Sequence, residues 1–286
     1  MLNAAAFARV SALALCAAVA VPAQTITAQQ VVDRIQTSVA IPWTTPTVDT
    51  FKAGDPATPV TGIAVTMMAT LDVLERAVAD GDNLVITHEP TFYDHQDRPE
   101  MDAGDPVLAA KRAFIAQHHL VIWRFHDHWH ARHPDGVLEG MKHVLGWDAF
   151  QSATDPHLFA LPPRSLRTLA HEVQSRLGIR AMRIVGDPAQ RVKTVALLPG
   201  YAAFVPAIHA FELPQVDLVI AGETREWEAV EYAADAQTEG RHKALILLGH
   251  VPSEQSGMQE CATWLKPILP GVRIDFVATA EPFWRP

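Results

Sequence analysis

Three short apolar segments of this 286-residue chain are each followed by a pair of His or Glu residues, the side-chain types that can bind transition metals. Apolar runs of this length predict buried strands, and imidazoles or carboxylates at the ends of neighbouring strands can hold metal ions within reach of water and substrate. The segments are LVITHEP, LVIWRFHDHWH and ALILLGHVPSE, with the pairs His88 and Glu89, His126 and His130, and His250 and Glu254. Since six such groups exceed what one tetrahedral ion needs, the sequence predicts two divalent metal ions (Zn, Mn or Fe) and a water-activating reaction.

Strands and helices alternate along the chain, which predicts an α/β fold with apolar strands covered on both faces. A loop near residues 151–163 separates a first set of elements from a second set, which begins with a helix starting at Ser165 and ending at Gly178. Prolines interrupt the segment before the first set. We therefore expect an irregular N-terminal arm over residues 24–60 and one α/β unit over 61–286, with lobes at about 61–155 and 156–286.

The two sets of elements resemble each other. DNLVITHE parallels VDLVIAGE, and LVIWRFHDHWH parallels ALILLGHVPSE. This alignment sets Glu223 against Glu89 and Glu254 against His130, so polar residues coincide at the strand ends as well as apolar residues within the strands. The coincidence predicts two duplicated lobes.

The duplicated strand end at Glu223 predicts either a general base or a residue that anchors a ligand, and a cap on the following helix is an equal alternative. After the last apolar segment, Pro252 favours a stiff loop over a regular helix between His250 and Glu254.

Three other histidines near the predicted site, His95, His128 and His133, are interpreted as supporting or substrate-contacting residues. An amidohydrolase-like barrel built around His126 and His128 would also need a metal-ligating lysine or further strand-end His and Asp residues. The sequence offers no convincing set of these, which disfavours that fold.

The first 23 residues have the pattern of a secretory signal peptide. Arg9 precedes a twelve-residue apolar run from Val10 to Val21, and small residues up to Ala23 suit signal peptidase. The run is shorter than the roughly 20 residues that a membrane helix needs. We expect cleavage before Gln24 and a periplasmic or secreted protein.

Charge and cysteine content narrow the possible partners. The chain carries 23 basic and 32 acidic residues, and loss of Arg9 with the leader makes the formal charge −10. An acidic chain without a basic run disfavours nucleic acid and anionic membranes as partners. Cys261 is the only cysteine left after cleavage, which excludes an internal disulfide and a thiolate metal cluster.

Four segments of the chain, taken in order, resemble the signature motifs of the NGG-interacting factor three-like family: ITHEP, the cluster at His126, the AGE turn and GHVPSEQSG. Bacterial members of this family are often labelled GTP cyclohydrolase type 2 homologs. The similarity runs from about Gly62 to the final EPFW. It implies two interlinked α/β lobes, a dinuclear metal site between them and a homo-oligomer, with a hexamer preferred. Two positions depart from the family pattern: Glu89 stands where the family has a second His, and His130 where it has Asp.

The sequence thus predicts an exported dinuclear metal-binding protein that acts as a metal-dependent hydrolase through a metal-bridging hydroxide, with Glu254 as the bridging carboxylate. A non-catalytic metal carrier or sensor is the alternative, since the same mixture of imidazoles and carboxylates suits reversible binding. Neither the substrate nor the identity of the metal follows from the sequence.

The leader sequence generates a first testable prediction. Protein isolated from its native host should begin at Gln24 or within a few residues of it, because signal peptidase cuts after small residues that follow an apolar run. N-terminal sequencing or intact-mass measurement checks this. Recovery of a chain that retains Met1 would contradict export.

Overall fold

Two five-stranded sheets form the framework of the protein, which a computed structural model describes over residues 26–98 and 104–284. The predicted leader, residues 1–23, lies outside the described residues. The first sheet has the order β1-β4-β3-β2-β10, in which β10, β2, β3 and β4 run parallel and β1 pairs antiparallel with β4. Its strands are β1 (Phe51–Ala53), β2 (Ile63–Thr66), β3 (Leu84–Thr87), β4 (Val121–Arg124) and β10 (Ile274–Phe276).

The second sheet has the order β5-β7-β8-β9-β6. Strands β7, β8 and β9 are parallel, and the two edge strands pair antiparallel with their neighbours. Its strands are β5 (Leu158–Ser165), β6 (Arg183–Val185), β7 (Arg191–Tyr201), β8 (Leu218–Glu223) and β9 (Ala244–Leu247). Every residue of β2, β3, β4 and β9 is buried, as expected of parallel strands covered on both faces.

Nine α-helices connect and cover these strands within the described ranges. They are α1 (Ala28–Ser38), α2 (Leu71–Asp80), α3 (Pro106–Gln117), α4 (Asp127–Ala131), α5 (Gly136–Leu145), α6 (Leu166–Leu177), α7 (Phe204–Glu212), α8 (Glu231–Thr238) and α9 (His250–Leu265). Helix α6 begins after Ser165, whose hydroxyl accepts a hydrogen bond from the Thr168 N–H, and ends at Gly178 in the left-handed conformation. Among these residues, no helix combines the length and apolarity that crossing a membrane requires.

The strand order of the two sheets supports an internal duplication. In both sheets three consecutive parallel strands, β2-β3-β4 and β7-β8-β9, lie in the same order, and a short antiparallel strand borders the last of them. The sheets differ at the opposite edge, where β10 is parallel to β2 and β5 is antiparallel to β7. The predicted α/β class with two related lobes is therefore confirmed.

The lobes are interlinked because each one packs a helix into the core of the other. Helix α5 follows β4 of the first sheet, yet Leu138, Met141 and Leu145 join the apolar core of the second sheet. Helix α9 follows β9 of the second sheet, yet Met258 and Leu265 join the core formed with β2, β3 and β4. The exchange ties the two sheets together through buried apolar surface.

Helices α5 and α9 contact each other through two glycines. A Cβ atom at Gly140 of α5 would overlap the carbonyl oxygen of Ser256, and one at Gly257 of α9 would overlap the Cα of Val137. Only hydrogen can occupy these positions, so the two helix backbones approach more closely than side chains normally allow.

Two segments differ from the sequence prediction. The arm at 24–60 includes helix α1, whose Val31, Val32 and Ile35 are buried and whose N-terminus is closed by a capping box between Thr27 and Gln30. The prolines disrupt regular structure only after this helix. Strand β10 lies within the predicted bounds of the second lobe, at about 156–286. It nevertheless pairs with β2 of the first sheet, because the chain returns there after α9. A short apolar strand does not by itself specify which sheet edge it joins.

The close approach of α5 and α9 predicts the effect of added bulk. Gly140→Val should lower the free energy of unfolding by about 3 kcal/mol, because the new methyl groups must push two buried helices apart. Chemical denaturation of metal-free protein measures this. Ala109→Val on the exposed face of α3 is the control and should cost less than about 1 kcal/mol. Equal losses in both variants would show that the helices tolerate separation.

Candidate metal centre

The six residues predicted as ligands meet between the two sheets. His88 and Glu89 follow β3, and His126 and His130 lie at the beginning and within helix α4, just after β4. His250 and Glu254 lie in the first turns of α9, which follows β9. The carboxyl ends of parallel strands from both lobes therefore point at one place, which is where open α/β sheets place their ligands.

Glu254 lies between two imidazoles of the first lobe. His88 Nε2 is 3.5 Å from Glu254 Oε2, and His130 Nε2 is 3.8 Å from Glu254 Oε1. The Nε2 atoms of His88 and His130 are themselves 3.2 Å apart. One carboxylate thus lies within 4 Å of both imidazoles.

Glu89 lies on the other side of the cluster, beside His250. Its Oε1 is 3.1 Å from His250 Nε2 and 4.0 Å from His126 Nε2. His250 Nε2 is also 3.2 Å from Glu254 Oε2. The two carboxylates therefore share His250, and the cluster is continuous from His130 to Glu89.

Two overlapping groups within this cluster have the spacing of a metal site. The ligand atoms of each group lie within 4.8 Å of one another, and His88 belongs to both. The groups are His88, His126 and His130, and His88, Glu89 and Glu254. The structure thus provides a candidate metal-binding cluster, while the number of ions and the assignment of each ligand stay predictions.

Each of the four imidazoles directs Nε2 into the cluster and has Nδ1 held by an oxygen outside it. An Nδ1–H donated to such an oxygen leaves the Nε2 lone pair free, and it fixes the rotation of the ring. The contacts are His88 with the Phe125 carbonyl at 3.0 Å, His126 with Asp127 at 2.9 Å, His130 with Asp135 at 3.1 Å, and His250 with Glu223 at 2.9 Å.

Asp127 and Asp135 were missed as functional residues by the sequence analysis. Asp135 also accepts hydrogen bonds from the N–H groups of Val137 and Leu138, so it caps α5 and orients His130 at once. The spacing of a helix-capping Asp shortly after a ligand was a usable signal.

Glu223 contacts the outer side of the cluster through His250. Its Oε1 contacts His250 Nδ1, and its side chain is 51% exposed. This is the position of an anchoring residue, and its predicted role as a general base stays a prediction. The alternative role as a helix cap is wrong, because the turn that follows has Arg225 at its N-terminus and no side-chain capping bond.

Arg124, at the end of β4, was also missed. Its guanidinium is fully buried, and it donates to Glu89 Oε2 at 3.1 Å, to the His88 carbonyl at 2.9 Å and to the His95 carbonyl at 2.6 Å. A buried cation needs such a set of acceptors because it has lost its hydration. Glu89 therefore faces the cluster with one oxygen and neutralises Arg124 with the other.

The charges around Glu89 and His250 shift both pKa values. Burial by itself would raise the pKa of Glu89, but the hydrogen bond from His250 and the charges of His250, His126 and Arg124 lower it to about 2. Burial opposes protonation of His250, yet the carboxylates of Glu254, Glu89 and Glu223 raise its pKa to about 11. Without a metal, a proton on His250 supplies positive charge among these carboxylates.

The pKa values of the other three imidazoles shift in different directions, because their surroundings differ. Burial lowers the pKa of His88 well below its ordinary value, and the charges of His130 and His126 act in the same direction. Burial and His130 likewise lower the pKa of His126. Burial disfavours a charge on His130 too, but Asp135, Glu254 and Glu89 raise its pKa. His88 and His126 are thus neutral near pH 7, the form that binds a metal.

The N-terminal arm is attached to helix α4 through contacts of Asp49 and Thr44 with residues 126–128. Asp49 accepts from the backbone N–H groups of His126, Asp127 and His128 and contacts His128 Nδ1 at 2.7 Å. His128 Nε2 accepts from the Thr44 N–H at 3.0 Å. Both ring nitrogens are occupied, so His128 supports the arm and is not a ligand.

The two remaining weak candidates also lie outside the cluster. His95 is exposed, and its ring centroid is 6.2 Å from that of His126. His133 follows α4 and precedes Pro134. Neither is brought into the candidate metal-binding groups of the described residues.

The segment from His250 to Glu254 is helical, so the predicted stiff loop is wrong. Pro252 occupies the first turn of α9, where a proline loses no intrahelical hydrogen bond. Gly200 and Gly222 make room for this turn, because a Cβ at either position would overlap Glu254 or Ser253. The ends of β7 and β8 therefore pack directly against the turn that carries Glu254.

The donor set fits divalent metal ions. Glu254 Oε2 is buried and has no hydrogen-bond partner, although two Nε2 atoms lie within 3.5 Å of it. The Nε2 atoms of the four imidazoles face the two carboxylates. The Nδ1 atom of each imidazole already contacts an oxygen outside the cluster. A cation relieves the repulsion among these lone pairs and satisfies the buried oxygen.

Comparison with known proteins places the chain among relatives over nearly its whole described length. The family profile described as Duf34/NIF3 (NGG1p interacting factor 3) matches residues 48–282. A protein of Chlamydia pneumoniae named GTP cyclohydrolase 1 type 2 homolog is 27% identical over 246 residues, which cover 81% of this chain and 89% of that protein. A protein of the same name from Clostridium acetobutylicum is 23% identical over 215 residues, covering 70% of this chain and 75% of that protein.

The fold is also similar to a solved structure. A Bacillus cereus protein related to NIF3 matches with a TM-score of 0.71 at 13% identity, covering 92% of this chain and 100% of that one. At this identity the likeness concerns the fold.

The pairing of Glu89 with Arg124 generates a prediction for the metal-free protein. Glu89→Leu should lower the free energy of unfolding by about 3–5 kcal/mol, because it leaves a buried guanidinium without its counter-charge. Adding Arg124→Met should recover part of the loss by removing that charge. Denaturation in the presence of chelator separates this effect from metal binding.

The exposed pair Asp72 and Arg76, 2.8 Å apart, provides the control. Asp72→Leu should cost less than about 1 kcal/mol, since water replaces the lost partner. A Glu89→Leu loss as small as this, or no recovery in the double variant, would show that Arg124 does not depend on Glu89.

Proposed function

The chain belongs to the Duf34/NIF3 (NGG1p interacting factor 3) family, and from this premise we propose that it is an exported dinuclear metal protein that acts as a metal-dependent hydrolase. The family predicted from the sequence is thereby confirmed. Dinuclear occupancy, catalysis and export go beyond the family assignment and are proposals.

One observation carries the proposal. Four imidazoles and two carboxylates from both lobes converge with their outer nitrogens already held in place, so the site is organised before anything binds. Preorganised ligands in excess of four suit two ions better than one. We assign His88, Glu89, His126, His130, His250 and Glu254 as the ligands, with Glu254 as the bridging carboxylate.

Two divalent ions in this site would acidify a shared water and polarise the bond to be hydrolysed. The protein's own groups then have three tasks. Asp127, Asp135 and Glu223 keep the imidazoles turned inward. Arg124 fixes Glu89 by donating a hydrogen bond to Oε2, the oxygen that faces away from the cluster. Glu223, which is partly exposed beside His250, is placed to accept a proton released at the site and pass it to solvent.

A metal carrier or sensor is the alternative, and one observation favours it. The side chains of His126, His130 and His250 are 23%, 29% and 23% exposed, so solvent reaches three of the four imidazoles. Ions held at an accessible site can exchange, which a carrier requires. Turnover distinguishes the two functions.

Location and assembly are part of the proposal. We propose a periplasmic or secreted protein on the basis of the leader, and a homo-oligomer, preferably a hexamer, on the basis of the family. A small molecule is the expected substrate, since an assembled ring restricts access to compact or flexible molecules.

Metal content and turnover test the proposed function. Reconstituted protein should contain two transition-metal ions per chain by mass spectrometry, and His250→Ala should lose at least one, because His250 contacts both carboxylates. His171→Ala, at an exposed position on α6, is the matched control and should retain both. A hydrolase substrate screen with and without chelator should reveal metal-dependent turnover.

The outcomes separate the hypotheses. One ion or none in the reconstituted protein would contradict a dinuclear site. Two ions without turnover on any substrate would favour the carrier or sensor.

A further inference from the structure

A large cleft reaches the candidate metal centre on the side of Glu89 and His250. Its volume is about 940 Å³, and Glu89, Glu223 and His250 form its inner end. Pockets for small molecules commonly have volumes of several hundred to about 1,000 Å³. The cleft is therefore large enough to hold a small substrate with one end at the ligand cluster.

The walls of this cleft are mainly apolar. Met68 and Thr70 come from the first lobe, Met182 and Leu247 from the second, and Phe283 from the C-terminal segment. Phe283 is 65% exposed, so its ring is accessible to a ligand in the cleft. These walls favour a ligand with an apolar body.

The side chains that line the cleft offer few cationic groups to an anionic ligand. Among the described residues that line it, Arg183 is the only Lys or Arg, and its guanidinium is paired with Glu226 at 2.8 Å. The acidic lining residues Glu223 and Glu281 are paired too, with His250 and with Arg180. Polyphosphates need several donors or cations around them, as from Arg, Lys or a glycine-rich loop.

The second cleft that borders the cluster does not supply these groups either. It has a volume of about 720 Å³ and adjoins His130 and Asp135. Its other ionisable lining residues in the described part of the chain are Asp155, His157, Tyr201, His209 and Glu212, with no Lys or Arg. Among the described lining residues, neither cleft therefore offers an unpaired Lys or Arg to the phosphates of a nucleoside triphosphate.

We propose that the larger cleft binds the substrate and selects an uncharged carboxylic ester or amide with an apolar body. This inference rests on the proposed hydrolase function. The scissile carbonyl lies at the end formed by Glu89 and His250, and the apolar body lies between Met182 and Phe283. In the reaction a water oxygen bonds to the carbonyl carbon, the C–O or C–N bond breaks, and a proton from the water passes to the departing alcohol or amine.

Two substrates with the same chromophore test the selection. Metal-loaded protein should hydrolyse 4-nitrophenyl butyrate with a kcat/KM at least tenfold above that for 4-nitrophenyl phosphate, and it should not turn over GTP. Phe283→Ala should raise KM for the butyrate about fivefold to tenfold with kcat and metal content unchanged, because the side chain contacts the body of the substrate and not the metal centre.

A second variant keeps the test independent of that one side chain. Ala280 is an exposed lining residue, so Ala280→Trp should fill the cleft and abolish butyrate hydrolysis while both ions are retained. Phe204→Ala is the matched control, since Phe204 is 52% exposed on α7 and lines neither cleft. It should leave KM unchanged.

A binding measurement separates failure of this inference from failure of the hydrolase proposal. The neutral fluorescent probe N-phenyl-1-naphthylamine should bind, Phe283→Ala should weaken its binding, and GTP should not displace it. Probe binding with this pattern, together with no turnover in the wider hydrolase screen, would support the cleft assignment and contradict the hydrolase. Preference for the phosphate, displacement of the probe by GTP, or equal effects of Phe283→Ala and Phe204→Ala would overturn the inference.

Discussion

The contact between helices α5 and α9 is the constraint on which the rest of the structure depends. Gly140 and Gly257 let the two backbones touch, and each helix follows a strand of one sheet and packs into the core of the other. Helix α5 begins at the residue after Asp135, which holds His130, and α9 begins at His250. The separation of the two helices therefore sets the separation of the ligands contributed by the two lobes. Because close-packed interiors adjust poorly to added volume, this arrangement gives the site a fixed geometry without a metal.

Electrostatic balance is the second requirement of the site. Taking six ionisable side chains out of water is costly unless their charges and lone pairs are compensated. Arg124 compensates Glu89 from one side, and Asp127, Asp135 and Glu223 hold the outer nitrogens of three imidazoles. On the inner side, Glu254 Oε2 is buried without a hydrogen-bond partner. The residues that surround the cluster thus stabilise its outside and leave its inside suited to cations.

The departures from the family pattern make physical sense in this setting. Glu89 can serve Arg124 and the cluster together because a carboxylate has two oxygens, one directed to each. An imidazole at that position would leave Arg124 without a counter-charge. His130 occupies the position where the family has Asp, and its Nδ1 contacts Asp135. A carboxylate therefore still lies near this position, but it reaches the cluster through the imidazole of His130. The site therefore keeps its negative charge with its groups arranged differently.

Local sequence was enough to predict the α/β class, the duplicated strand ends and the six residues that meet at the centre, because strand periodicity and the chemistry of His and Glu are properties of a few neighbouring residues. It also predicted the ends of α6 from Ser165 and Gly178. Only the tertiary structure showed the exchange of α5 and α9, the return of β10 to the first sheet, the helical course of α9 through Pro252, and the buried partners Arg124 and Asp49. Each of these depends on contacts between residues far apart in the chain. Burial and charge compensation arise only when those distant segments pack together, so no local pattern could specify them.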